Sequence, residues 1–238
     1  MKKYLPLSFS SIKEFAKSPN HFIYYKNRER TSSAAMIKGT AVHTMVLEPN
    51  EFEHRYFIAP DGIRRGTNAW KEIVAVAGER EILKEVEYNV IAKMSRMVVE
   101  HYEAREILKA ATEFEQHIKL TFNGLPFHGF ADVVTPTMVC DLKTTQDSTP
   151  HKFSRTVFNY KYHWQAALYM KATGKDTFRF ITIESSAPYS VMVYELSHEM
   201  IELAVKELIE VTNKFKKWDG LEAGYSKEVQ IIDVPTWM

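Results

Sequence analysis

Cysteine is nearly absent from this 238-residue chain, where Cys140 stands alone. A single thiol excludes an internal disulfide and any metal cluster built on several cysteines. Long apolar runs are missing too: no segment approaches the roughly 20 apolar residues that a membrane span needs. The opening MKKYLPLSFS starts like a secretory signal but has neither an apolar stretch nor a cleavage site. The expected location is therefore cytoplasmic, with no membrane partner. There is no repeat, no low-complexity run and no Pro/Gly/Ser-rich linker, so the chain reads as a single domain. Nor is there an excess of one charge, since 31 Lys and Arg face 30 Asp and Glu. The molecule as a whole does not attract a polyanion.

The charge is unevenly placed. Residues 1–40 hold eight Lys and Arg against two Glu, while the remainder holds 23 basic and 28 acidic residues. A basic N-terminal segment on a mildly acidic body suits an anion-binding rim around an acidic site, or simply a solvated basic face.

Periodicity predicts helices at both ends and strands between. Ser11-Ile-Lys-Glu14 has the form of a capping box, opening a helix that ends before Pro19. Residues 33–47 read as a helix and 59–67 as a loop. Residues 68–111 read as helical, with breaks near Gly78 and Tyr102. Residues 113–122 alternate and run into Asn123-Gly124, a hairpin signal. Strands over 127–134 and 138–144 follow, with a turn at Thr135-Pro136-Thr137. Residues 150–173 read as one helix capped by Gly174. Two strands, 178–184 and 191–196, and an amphipathic helix over 198–218 complete the chain. The predicted class is α/β (α+β), one mixed sheet flanked by helices. We expect a catalytic core over about 30–196, a basic helical segment over 1–38, and a C-terminal helix and tail over 197–238.

The central meander carries the chemistry. Asp132 lies near the end of the second strand, and Asp141 and Lys143 lie two apart on the third, so that pair shares one face. An antiparallel neighbour can bring Asp132 beside Asp141. Two carboxylates so close repel unless a positive group sits between them. A hard divalent cation fills that role with oxygen ligands. The bland alternative is an ion pair of Lys143 with either aspartate.

The run Gly129-Phe-Ala-Asp132, eight residues, then Asp141-Leu-Lys143 resembles the core of the PD-(D/E)XK nucleases. Gln165-Ala-Ala-Leu-Tyr169 is similar to the Q-x-x-x-Y helix of the RecB-like branch, and its two polar residues share a helix face. Gly39-Thr-Ala-Val-His43 resembles the segment that gives that branch a metal-binding histidine. Glu115, or alternatively Glu113, stands in the place of an additional carboxylate. The N-terminal Ser-Phe-Ser-Ser-Ile-Lys-Glu-Phe segment resembles the first helix of RecB-like nucleases, and the Ile63–Trp70 stretch with the strand–turn–strand around Gly124 resembles RecE-like and lambda-type phage exonucleases. The resemblance spans about Leu7 to Tyr169. The iron–sulfur relatives need four cysteines, which this chain lacks.

What the resemblance implies is specific. It implies one or two Mg²⁺ ions, replaceable by Mn²⁺, held by His43, Glu115, Asp132, Asp141 and the Leu142 carbonyl. Lys143 would position the nucleophile, with Gln165 and Tyr169 presented to the DNA backbone or the attacking water. The implied activity is processive 5′→3′ degradation of linear duplex DNA, leaving 3′ single strands for annealing. The implied partners are double-stranded DNA ends, a single-strand annealing protein and further copies of the chain in a trimeric or tetrameric ring. The implied setting is a phage or prophage gene acting in a bacterial host. Arg28, Arg30, Ser32, Ser33 and Lys38 are candidates for gripping the strand end, Arg64 and Arg65 for the backbone, and Trp70 for stacking a base. The alternatives are a structure-specific endonuclease, a RecB-type subunit working with a helicase, and a catalytically silent DNA-binding scaffold.

Overall fold

In the computed structural model the described residues are 4–29 and 31–221. Two short helices come first, α1 (Phe9–Lys17) and α2 (Pro19–Asn27). The cap of α1 lies three residues earlier than the sequence indicated. The Ser8 hydroxyl accepts from Ser11 N–H, and the Ser11 hydroxyl accepts from Ser8 N–H. Pro19 opens α2 instead of merely ending α1. Its missing N–H costs nothing at a first helical position, and Ser18 supplies the cap. Then come α3 (Ala34–Leu47), a 3-10 turn at Pro49–Glu51, α4 (Phe52–Arg55), β1 (Tyr56–Ala59), α5 (Asn68–Ala77), β2 (Glu81–Lys84), α6 (Glu85–Glu100) and α7 (Tyr102–Lys109). Strand β2 breaks into the stretch 68–111 that periodicity read as helix, and it pairs with β1 in a small parallel sheet.

The main sheet is built from β3 (Glu113–Phe122), β4 (Leu125–Val134), β5 (Met138–Thr145), β6 (Thr177–Glu184) and β7 (Val191–Glu195), in that spatial order. Asn123 and Gly124 close the β3–β4 hairpin, both at positive φ. All neighbours are antiparallel except β5–β6, whose parallel pairing needs the helical crossover α8 (Pro150–Asn159) and α9 (Tyr162–Thr173). The stretch 150–173 is thus two helices. Their break falls at Lys161, which adopts the left-handed conformation. Helix α10 (His198–Lys217) follows β7.

The sheet separates two apolar layers. Alternation along β6 sends Phe178 and Phe180 to one side and Ile181 and Ile183 to the other. The first side packs under α1, α2, α9 and α10, with Phe22, Leu168 and Phe215 buried there. The second packs under α3, α6 and α7, around Ile91, Met94 and Leu142. The N-terminal basic segment is therefore part of the core: Phe15 and Phe22 meet Phe215 edge to face, at 5.0 and 5.4 Å. The expected boundary at residue 38 falls inside α3. Among the described residues, no helix is long and apolar enough to cross a membrane.

Candidate active site

The β4–β5 ladder holds two pairs, Val133–Cys140 and Val134–Val139, and then ends. The next residues out are Asp132 and Asp141, so the two aspartates face each other across the fork. Asp132 bridges it, its Oδ2 accepting the Leu142 N–H at 2.8 Å. A side-chain oxygen thus replaces a strand carbonyl and satisfies the Leu142 N–H.

On one side of the fork three side chains able to ligate a metal form a triangle. Single ligand atoms of His43, Glu115 and Asp132 lie within 4.8 Å of one another. Each comes from a different element. His43 descends from α3, whose approach to β5 is close. A Cβ on Gly39 would lie 3.1 Å from Thr144 Oγ1, so the glycine lets the helix pack tightly there. Glu115 sits near the start of β3 at φ 48, a left-handed strain inside a strand. Glu113, the alternative carboxylate, is exposed at the strand's start. His43 Nδ1 lies 3.5 Å from Asp132 Oδ2.

The electrostatics suit a cation. Burial, then the charge of Asp141, pushes the Asp132 carboxyl well above its ordinary range. Burial, and the charges of Glu48 and Asp141, raise Glu115. Burial lowers His43, leaving a neutral imidazole able to donate a lone pair. One nitrogen and two carboxylate oxygens that all lack positive charge make a fitting donor set for a hard divalent ion.

On the other side stands a second cluster. Lys143 Nζ lies 2.5 Å from Asp141 Oδ2, which has no other polar partner. Gln165 on α9 ties this pair together. Its amide nitrogen donates to Asp141 Oδ1 at 2.6 Å, and its amide oxygen accepts from Lys143 Nζ at 3.2 Å. Burial pulls the Lys143 ammonium down, but Asp141 and Asp132 more than offset it, and the net shift is upward. Gln165 therefore points inward, to the acidic and basic groups, and Asp141 stands outside the triangle of ligands. Tyr169, one turn on, lies against β4 where Gly129 has no side chain: a Cβ there would come 2.8 Å from the phenol oxygen. Burial raises the Tyr169 phenol to about 12.

The remaining expected residues divide. A cleft of about 530 Å³ in front of Asp132, Asp141 and Lys143 is lined by Lys13, Lys26 and Arg28 from α1 and α2. Ser32, Lys38 and Arg65 line a larger cavity of about 900 Å³, with Thr144, Tyr160 and Tyr162. Lys38 Nζ donates to the Ser185 carbonyl at 2.9 Å. The Ser33 hydroxyl caps α3, accepting from Met36 N–H. Trp70 is half-buried under the Arg65 guanidinium at 5.4 Å. Arg64 sits in the preceding loop, where its carbonyl accepts from Thr67. Arg30 and the tail beyond Leu221 lie outside the described residues. Two features went unread in the sequence. The Tyr162 ring lies beneath the Lys143 ammonium at 4.6 Å. Glu48 and Arg55 form a two-pronged ion pair, at 2.8 and 2.9 Å, beside His43 and Glu115.

Residues 8–231 match the family described as a PDDEXK-like domain of unknown function (DUF3799). The chain belongs to that family. The match spans both halves of the site, from the His43 helix to the Gln165–Tyr169 helix. Among solved structures, this PDDEXK-like chain is similar to a protein of Eubacterium rectale that is an exonuclease by name. Their TM-score is 0.63 at 12% identity, covering 89% of this chain and 80% of that one. That likeness shows the fold, and the family description makes it a PDDEXK-like one. A phage-related exonuclease from Haemophilus somnus 129PT is a looser match, with a TM-score of 0.39 at 12% identity, covering 89% and 93%. The alkaline exonuclease of Laribacter hongkongensis matches at a TM-score of 0.42 and 14% identity in one structure, covering 91% and 93%, and at 0.30 and 18% in another, covering 64% and 84%. Among curated proteins, none matches this sequence.

Proposed function

We propose that this chain is a divalent-metal-dependent exonuclease acting on the ends of linear double-stranded DNA. One observation carries the reading: the strand fork sets the His43–Glu115–Asp132 triangle on one side and the Asp141–Lys143–Gln165 cluster on the other. A structural ion pair alone accounts for the second cluster but not for three cation-seeking groups converging beside it.

His43, Glu115 and Asp132 would hold the metal, with Asp141 and the Leu142 carbonyl as the adjacent oxygens. When bound, a Mg²⁺ or Mn²⁺ ion polarises the scissile phosphate and lowers the pKa of a bound water. Lys143 carries a fixed positive charge in the wall of the cleft, where it would meet the developing charge on a phosphate oxygen. Gln165 holds the Lys143 head and the Asp141 carboxylate in one geometry, so neither reorganises during reaction. Asp132 keeps Leu142 in register through its backbone bond. Lys13, Lys26 and Arg28 supply the anion-binding wall of the cleft, contacting phosphates and not base edges.

The finer reading follows the resemblance to phage exonucleases. It comprises 5′→3′ polarity, 3′ single-stranded products, a single-strand annealing partner and a ring of identical subunits. A ring supports processive digestion without a strongly basic surface, in line with the net charge of +1. The test compares linear with covalently closed circular duplex DNA, in Mg²⁺ and in EDTA, beside a Lys143→Ala variant. Metal-dependent loss of linear DNA alone, absent in the variant, supports the exonuclease. Cutting of both substrates moves the assignment to an endonuclease. A folded protein inert in Mg²⁺ and Mn²⁺ on both substrates sinks the nuclease reading.

A further inference from the structure

The corner between α8 and α9 holds a strained backbone. Lys161 sits at φ 58, a conformation that residues other than glycine seldom adopt. A strained residue persists only where its surroundings over-determine it, and here they do. Lys161 Nζ, His163 Nε2 and Trp164 Nε1 converge on Glu207 Oε2 of α10, at 3.1, 2.9 and 2.5 Å. His163 is fully buried, so this hub is built into the protein and not laid on its surface.

The corner presents two stacked rings. Tyr160 and Tyr162 lie with centroids 5.6 Å apart and planes at 21°. The inner ring, Tyr162, touches the ammonium of Lys143. The outer ring, Tyr160, is 54% exposed, and the Lys13 ammonium lies 5.9 Å from its centre. Tyr162 also lines both cavities, the 530 Å³ cleft and the 900 Å³ cavity, so the pair stands where the two meet.

An exposed π-face, here that of Tyr160 backed by Tyr162, flanked by ammonium groups is the chemistry that receives a nucleobase still attached to its phosphates. A base inside a duplex has both faces covered by its neighbours, so only a terminal or unpaired base can lie on a protein ring. We propose that Tyr160 and Tyr162 form a stacking site for the terminal, unpaired base of the strand being cut, and that Glu207 is the positioning residue that holds the pair in place. The proposal rests on the nuclease reading and extends it to how the strand end is seated beside Lys143.

The experiment uses the full chain and blunt duplexes carrying 2-aminopurine at the terminal nucleotide of one strand or the other, or at an internal site. Ca²⁺ replaces Mg²⁺ to slow cleavage, and anisotropy reports binding separately. A stacked probe is dark and an unstacked one bright. With the wild type and Tyr160→Phe the terminal probe stays dark. With Tyr160→Ala it brightens severalfold, and binding weakens by about tenfold. Glu207→Gln brightens the terminal probe while leaving the internal one unchanged. A Tyr160→Ala protein indistinguishable from the wild type in brightness and binding overturns the stacking site. Equal changes at terminal and internal probes in Glu207→Gln reduce Glu207 to a structural role and overturn its positioning. Absence of any DNA binding by the wild type removes the nuclease reading itself, a failure recognisable because anisotropy alone reports it.

Discussion

The Asp132 carboxylate accepts the Leu142 N–H at 2.8 Å, at the point where the β4–β5 ladder stops. One residue thus serves the backbone with one oxygen and offers its charge to the fork. The two duties are separable by substitution. Asp132→Asn retains an acceptor for Leu142 and loses the charge. It should fold, lose nuclease activity by two orders of magnitude or more, and lose any rise in melting temperature on adding Mg²⁺. Retained metal-dependent stabilisation in this variant would place the ion elsewhere.

The same group sets a pH dependence. Burial and Asp141 raise the folded-state pKa of Asp132, and burial raises that of Glu115. The metal-free folded protein therefore holds protons that the unfolded chain has released. Its stability should fall as pH rises from about 4 through the folded-state values. Saturating Mg²⁺ favours the ionised carboxylates and should flatten or reverse that slope. Melting curves across pH, with EDTA and with Mg²⁺, check it. An identical slope in both conditions contradicts the assignment of these groups to a metal.

Asp141 and Lys143 form a buried ion pair, which confuses stability with catalysis unless both partners are changed. Lys143→Met alone leaves a buried carboxylate without its counter-charge and should cost about 3–5 kcal/mol. The double variant Asp141→Asn with Lys143→Met removes the unpaired charge and should recover much of that loss, read by denaturant unfolding. Activity should stay lost in both. A double variant that regains cleavage along with stability would show the pair to be structural only.

How much was legible follows from the range of each signal. The strands β3 and β4, the Asn123-Gly124 turn and the Asp141–Lys143 pair were readable because alternation and turn chemistry are local. Glu115 and His43 were placed by their order along the chain, not by their own surroundings. The β1–β2 pair escaped because each strand has four residues and each residue's partner lies 25 positions away, so no period develops. The α8–α9 break escaped because Lys161 is neither glycine nor asparagine, and its conformation is fixed by Glu207 on a distant helix. Tyr162 went unread for the same reason, since its ring gains meaning only from Lys143 folded over it. Side chains that answer to tertiary partners leave no pattern in the primary chain.

Gly129 shows how closely one backbone position is tied to the site. A methyl group there would come 2.8 Å from the Tyr169 phenol oxygen and 3.0 Å from its ring edge. Tyr169 is buried on α9, one turn after Gln165, so it moves only by disturbing that helix. Gly129→Ala should therefore cost about 1–3 kcal/mol by overpacking, and it should lower activity by shifting Gln165 away from Asp141 and Lys143. Adding Tyr169→Phe takes away the oxygen that makes the shortest contact, and the double variant should recover part of the stability. If Tyr169 only fills space, activity should recover with it. If the phenol also contacts DNA or the attacking water, stability should return while activity stays low. Unfolding and turnover measured on the same three proteins decide between these, and a Gly129→Ala protein with unchanged stability and rate would show that the helix yields freely.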